Sequence, residues 1–185
     1  MTDDDNPGIP AAPTHRILEA ARFAAEKHAH QKRKGDAEEP YINHLLEVAE
    51  LISGSSDLLD ANLVIAGLLH DTVEDVGVTF ADLEKKFGSD VASLVAEVTD
   101  DKSLPREVRK ALQIQTAPKK TPRAQVIKLA DKISNLRALL ESPPSDWSAE
   151  RRRQYFEWAR QVVGALSAPN SVLKAEFEKT CARFK

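Results

Sequence analysis

The sequence predicts an all-α fold, a bundle of about eight to ten helices joined by short loops. Three observations predict it. Nearly every apolar run has helical spacing, and no alternating pattern is long enough for a strand. Helix punctuation recurs, with Ser, Thr, Asp or Asn before apolar runs, Pro in first turns and Gly after last turns. The chain has 185 residues, 42% of them apolar, which suits one domain with a sizeable core. There is no internal repeat.

Residues Met1 to Pro13 are acidic and Pro-rich, with no apolar segment of the kind a signal peptide needs. They are expected to form a disordered tail, with residues 14–185 as the folded domain. The first helix is expected to start with Thr14 as N-cap. Ile17, Ala21, Ala24, Ala25 and His28 mark its buried face, so His28 reads as a satisfied core histidine and His30 as solvated. Gln31-Lys32-Arg33-Lys34-Gly35 follows, then a polar loop to Pro40. Cations at a helix C-terminus complement its dipole; Arg is also a planar fork that can clamp phosphate or stack on a purine. Both readings stand on the pentapeptide alone.

Pro40 to His44 opens the second helix, buried through Leu45, Val48, Ala49 and Ile52, and Gly54 to Asp57 is a turn. Asp60 is placed to cap the third helix. That helix runs apolar from Leu63 to Leu69 and then changes to His70-Asp71-Thr72-Val73-Glu74-Asp75. A helix continuing through this run puts His70 and Glu74 on one face, and Asp71 and Asp75 on another. Three acids so close repel each other unless a cation or water lies between them. Val76-Gly77 ends the segment.

Thr79 to Asp82 has the form of a capping box with Asp for Glu. Its short helix closes at Gly88, and Ser89 is expected to cap the next, through Val98. Pro105 starts a helix carrying Arg106, Arg109 and Lys110, an exposed cationic face in the plainest reading. Thr121-Pro122 begins a long helix to about Leu140. Asp131 lies in its most apolar part, with Asn135 four residues on. A buried carboxylate costs several kcal/mol, about, unless it is paired or metal-bound. Pairing with Lys128 or Lys132 is one solution and metal ligation the other. Pro143-Pro144 stops this helix; Ser148 caps the next, which carries Tyr155, Phe156 and Trp158, and Asn170 caps the last.

Composition narrows the function. A net charge of −3 gives no overall field for nucleic acid or an anionic membrane. No apolar stretch is long enough to span a bilayer. The single cysteine, Cys181, cannot form an internal disulfide, which fits a reducing, cytoplasmic setting, and reads as a packing residue. Taken together, His44, His70, Asp71 and Asp131 offer two imidazoles and two carboxylates from three helices. That mixed set suits a borderline or hard divalent ion such as Mn²⁺, Fe²⁺ or Zn²⁺. Glu74 and Asp75, on the next turn, can orient or deprotonate a water.

His70-Asp71 with a distant histidine and a distant aspartate resembles the HD-domain metal-dependent phosphohydrolases. Arg33-Lys34, Pro40-Tyr41-Ile42-Asn43-His44, Leu68 to Asp75, Val98 to Lys102, Lys128 to Lys132 with Asn135, Trp147-Ser148 and Tyr155 to Trp158 resemble, more closely, the hydrolase domain of the RelA/SpoT family. The small hydrolase-only members, including metazoan SpoT homologues, are the nearest type. The resemblance runs from about His15 to the C-terminus. It implies a single HD-domain helical bundle that uses Mn²⁺ to remove the 3′-pyrophosphate of the alarmones ppGpp and pppGpp, giving GDP or GTP plus pyrophosphate. His44, His70, Asp71 and Asp131 match the family's metal ligands, and Glu74 and Asp75 its catalytic acids. Arg33, Lys34 and Asn135 match positions near guanine and ribose, and Tyr155, Lys102 and Arg106 positions near sugar and phosphates. With no room for synthetase or regulatory domains, hydrolysis alone is expected. Gly35, Leu45 and Ser134 depart from the family pattern, which has an acid, a proline, and an aromatic ring or histidine there. Two alternatives are an HD phosphohydrolase of another nucleotide such as NADPH, and a non-catalytic alarmone-binding module; a sensor would be expected to lack a ligand or an acid, and none is missing.

Overall fold

Leu63 to Leu69 are all buried, as a run with no polar face must be, and they put one short helix at the centre of the molecule. The computed structural model describes residues 12–56 and 59–184. Among them are ten α-helices: α1 (Pro13–Lys27), α2 (Ile42–Ser53), α3 (Ala61–Leu69), α4 (Thr72–Val76), α5 (Phe80–Phe87), α6 (Ser89–Val98), α7 (Arg106–Thr116), α8 (Pro122–Glu141), α9 (Ala149–Gly164) and α10 (Ser171–Ala182). The described residues contain no strand, only an antiparallel bridge between Lys32 and Pro40. The all-α expectation holds. No described helix is long and apolar enough to cross a membrane.

Helix α3 is flanked by α1, α2 and α6, while α8 packs across α2, α6 and α10. Gly67 matters to this arrangement. A Cβ there would lie 2.5 Å from Ile52 Cδ1 and 3.6 Å from Val48 Cγ1, so its absence lets α2 lie close against α3. His44 on α2 is thereby brought beside the end of α3. Arg123 on α8 ties two other helix starts together. It donates to Asp60 at 2.8 and 3.0 Å and to Asp90 at 2.7 and 2.9 Å. Cys181 is buried in the core, 1% exposed, as a packing residue would be.

Most helix ends follow the expected chemistry. Asp60, Thr121, Ser148 and Asn170 each accept a backbone N–H from the first turn of their helix, and the Thr79–Asp82 capping box is complete. Two starts differ. Helix α1 begins at Pro13, not behind a Thr14 cap, and no side chain caps it; proline's fixed φ and missing N–H suit a first turn. Ser89 lies inside α6, and Gly88, at φ 93°, both ends α5 and precedes α6. Residues 1–11 of the expected tail and Asp57 of the expected turn lie outside the described residues, as does Lys185.

The larger difference is at the central motif. The helix does not continue through His70-Asp71 but stops at Leu69 and restarts at Thr72. Thr72 Oγ1 donates to Leu69 O at 2.7 Å, and Asp75 N donates to Asp71 O at 2.8 Å. A threonine hydroxyl bonding a nearby carbonyl offers the backbone an alternative to the helical ladder. Glu74 and Asp75 therefore project from a separate turn, α4, which ends at Gly77 in the left-handed conformation, φ 74°.

Candidate active site

The break between α3 and α4 leaves His70 at the mouth of the core with one nitrogen committed. Its Nδ1 lies 2.8 Å from Gly67 O. A carbonyl only accepts, so Nδ1 carries a proton, and Nε2 carries a lone pair whenever the ring is neutral. His44 presents the same face, with Nδ1 2.8 Å from Ser134 Oγ. Both Nε2 atoms are buried and have no hydrogen-bond partner among the described residues. Asp131 Oδ1 is 3.5 Å from His44 Nε2 and 3.8 Å from His70 Nε2; Asp71 Oδ2 is 3.6 and 3.1 Å from the same two atoms. His44, His70 and Asp131 each offer a ligand atom within 4.8 Å of the others'. Asp71 stands at the side of that trio, where its Oδ2 also accepts the Tyr41 hydroxyl at 2.7 Å.

The two carboxylates favour positive charge at this point, whether on an imidazole or on a cation. Burial opposes charge on His70, yet Asp71 and Asp131 outweigh it and push the imidazole up to about 10. Asp71 is held well below the carboxylate range against burial, chiefly by His70. Asp131 is held low against burial by Lys132 first and then by the imidazoles. Asp131 makes the lysine pair that one sequence reading expected, and its position leaves the ligand reading open. Its Oδ2 takes Lys132 Nζ at 2.9 Å and its Oδ1 takes Asn135 Nδ2 at 2.6 Å, while its edge faces the imidazoles. Lys128 turns elsewhere, to Asp100 at 3.6 Å. Two unpartnered imidazole nitrogens and two carboxylates converging on one buried point fit a divalent cation.

Glu74 and Asp75 lie beside this point. Glu74 accepts the Asp100 N–H at 3.2 Å and has Arg109 at 3.6 Å and Lys102 at 3.8 Å. Burial raises its pKa, as do Asp71 and Asp100; the Asp100 N–H and Lys102 oppose the rise. Asp75 takes Gln31 Nε2 at 2.7 Å and also bonds Lys102. The acids open on a cleft of about 650 Å³ whose lining includes Arg33, Lys34, Lys102, Arg106, Asn135 and Tyr155, with His70, Asp71, Glu74, Asp75 and Asp131 at its floor. His44 lies beneath, 1% exposed. All twelve residues singled out in the sequence are therefore gathered in one place.

The loop after α1 reaches this cleft because the Lys32–Pro40 bridge folds it back, with Arg33 N donating to Glu39 O at 2.8 Å and Tyr41 N to Gln31 O at 3.0 Å. Arg33 donates to Ser134 Oγ and Asn135 Oδ1, each at 3.2 Å. On the opposite wall, Trp147, Tyr155 and Trp158 run ring to ring at 5.7 and 5.2 Å. Arg151 lies 4.3 Å over Trp147, and Lys132 4.5 Å over Trp158. The rings are tilted to one another by 57° and 59°, and a cation lies over the face of each Trp.

Several contributors have no site role that the sequence assigned. Tyr41, Gln31 and Ser134 each bond a site residue from far along the chain. Arg109 was legible only as part of an exposed cationic face; its side chain is 25% exposed and points at Glu74. His28 is buried as expected but only half satisfied: Nδ1 meets Gln31 Oε1 at 2.6 Å, while Nε2 has no partner among the described residues. Burial lowers its pKa despite the Gln31 bond, and it stacks on Tyr41 at 5.1 Å.

A His-Asp pair at a helix break, joined to a histidine and an aspartate from two other helices, defines the HD-domain class, and the family model described as "HD domain" matches residues 20–158. The guanosine-3′,5′-bis(diphosphate) 3′-pyrophosphohydrolase MESH1 of Xenopus tropicalis is 49% identical over 162 residues, 88% of this chain and 90% of the relative. MESH1 of Homo sapiens is 48% identical over 159 residues, 86% of this chain and 89% of the relative. A solved structure titled "A metazoan ortholog of SpoT hydrolyzes ppGpp and plays a role in starvation responses" superposes with a TM-score of 0.87 at 44% identity, covering 95% of this chain and 97% of that one. The chain belongs to the MESH1 family of small HD-domain proteins.

Proposed function

We propose that this protein is a Mn²⁺-dependent 3′-pyrophosphohydrolase of ppGpp and pppGpp, releasing pyrophosphate and leaving GDP or GTP. One observation carries the reading: two buried, unpartnered imidazole nitrogens face Asp71 and Asp131 beside the acid pair of a cation-lined cleft. The activity named for its relatives supports it over most of the chain's length. His44, His70, Asp71 and Asp131 would hold the ion, for which two nitrogen and two oxygen donors suit Mn²⁺. When bound, it supplies Lewis acidity at a phosphoryl oxygen and lowers the pKa of water at the site.

The chain's own residues supply the rest. Glu74 takes a proton from the water that attacks the phosphorus next to the ribose 3′ oxygen. As the new phosphorus–oxygen bond forms, the bond from that phosphorus to the 3′ oxygen breaks, and the proton held by Glu74 passes to the 3′ oxygen, which regenerates the carboxylate. Asp75, fixed by Gln31, steers the water. Lys102, Arg106 and Arg109 neutralise charge on the equatorial oxygens. Arg33, Lys34 and Asn135 hold the base and ribose, and Tyr155 the sugar. The test is incubation of the Mn²⁺-loaded protein with ppGpp, pppGpp, NADPH and deoxynucleoside triphosphates, with products identified by chromatography. Pyrophosphate and GDP or GTP from the first two are the expected products. Turnover of NADPH alone would replace the alarmone reading with another phosphohydrolase, and binding without turnover would make the protein a sensor.

Gly35 gives a sharper check of the base pocket. A Cβ there would sit 2.2 Å from Ser142 O and 2.9 Å from Ser142 Oγ. The backbone oxygen cannot move aside cheaply, so an acid at this position would displace the loop that carries Arg33 and Lys34. Gly35→Asp is expected to raise KM for ppGpp by about tenfold or more and to change kcat by less than about threefold, the signature of lost uniform binding. Steady-state kinetics on both proteins measure it.

A further inference from the structure

Ser134 is fully buried, at 0% exposure, and its hydroxyl meets three groups at once. It lies 2.8 Å from His44 Nδ1, 2.5 Å from Glu47 Oε2 and 3.2 Å from Arg33 Nη1. Glu47 is not free to turn away, because Arg137 donates to its Oε1 at 2.8 Å and also holds Glu176 at 2.7 Å. A hydroxyl has one proton to give and two lone pairs to receive. Arg33 only donates. The ion-paired Glu47 carboxylate only accepts, so the single hydroxyl proton goes to Glu47. One lone pair of Ser134 then takes Arg33, and the one remaining site for His44 is as an acceptor.

We infer that Ser134, aimed by Glu47, is a positioning residue that fixes His44 in the tautomer protonated at Nδ1, with the Nε2 lone pair directed at the cation position. The consequence for metal binding rests on the function proposed above; the tautomer rests on the hydrogen-bond count alone. Metal-ligating histidines are commonly oriented by a partner on the other ring nitrogen, and loss of such a partner costs about 10- to 100-fold in metal affinity. Here the partner is a relay, carboxylate to hydroxyl to imidazole. The same hydroxyl also receives Arg33, so the cation position and the wall expected to hold the base share one anchor. Ser134 is thus more than a small residue in place of the family's usual ring: it comes with a carboxylate, Glu47, placed to use it.

The test has two readouts. The first is the ring ¹⁵N spectrum of the metal-free protein, followed with rising pH until the His44 ring is neutral. The wild type is expected to show His44 protonated at Nδ1 and bare at Nε2; a ring protonated at Nε2 overturns the inference. In Ser134→Ala and in Glu47→Ala, the His44 signals are expected to shift toward a mixture of tautomers. The second readout is calorimetric titration with Mn²⁺. Its Kd is expected to rise about tenfold or more in Ser134→Ala, and by about threefold or more in Glu47→Ala, which keeps the hydroxyl but frees its proton. Wild-type tautomer and a Kd within about twofold in Ser134→Ala would overturn the inference. Should that variant lose its helical circular dichroism, the same two readings on Glu47→Ala decide the matter. A wild type that binds no Mn²⁺ would instead overturn the metal reading, and the ring spectrum would still decide the tautomer.

Discussion

Asp131→Asn is expected to abolish tight Mn²⁺ binding and to lower pyrophosphate release by about 10³-fold or more, which corresponds to about 4 kcal/mol of lost transition-state stabilisation. The substitution keeps shape and one carbonyl oxygen but removes the charge. That charge does two jobs. One oxygen faces His44 and His70 at 3.5 and 3.8 Å; the other holds Lys132 at 2.9 Å. Lys132 is 3% exposed, and a buried cation left without its partner is destabilising. Trp158, 4.5 Å from its Nζ, compensates in part. The variant should therefore melt at lower temperature yet keep its helical content and a cooperative transition. Calorimetry with Mn²⁺, pyrophosphate release and thermal melting separate the two effects. Turnover within tenfold of the wild type, with the fold intact, would remove Asp131 from the site.

The same residue shows how far the sequence could be read. A charge in the most apolar stretch of α8 stands out locally, so Asp131 was legible; its pairing with Lys132 is seen at 2.9 Å, and its place beside the two imidazoles is what the ligand reading requires. The apolar run of α3 foretold a helix there, and the helix caps foretold most boundaries. What local pattern could not supply was the end of α3. Helical spacing carries through His70-Asp71 without a break, and the interruption comes from a threonine hydroxyl competing for a carbonyl. Partners across the fold were equally hidden. Tyr41 reaches Asp71, Gln31 reaches Asp75 and Ser134 reaches His44 over separations that periodicity does not encode. Helix α7 was read as an exposed cationic face and buries no residue, yet Arg109 on it faces Glu74; a face can be solvent-exposed and still line a cleft.

The second large effect belongs to Glu74, and it should separate chemistry from metal binding. Glu74 touches none of the imidazoles; its carboxylate is placed by the Asp100 N–H at 3.2 Å and flanked by Arg109 and Lys102. Glu74→Gln preserves that size and the hydrogen-bond acceptor while removing the base. Mn²⁺ affinity and KM should stay within about threefold of wild type while kcat falls about 10²- to 10⁴-fold, the range for loss of a positioned general base. The pH profile tests the assignment independently. A base works only when deprotonated, so activity falls as pH drops through its pKa. Burial, then Asp71 and Asp100, raise that pKa above the ordinary carboxylate value, against the Asp100 N–H and Lys102. The acid limb of kcat/KM should accordingly lie above the usual carboxylate range. Lys102→Ala removes one of the groups that lowers it, so the limb should move to still higher pH. An acid limb at the ordinary value in the wild type, unmoved in Lys102→Ala and still present in the residual activity of Glu74→Gln, would assign the proton transfer to another group, with Asp75 the next to examine.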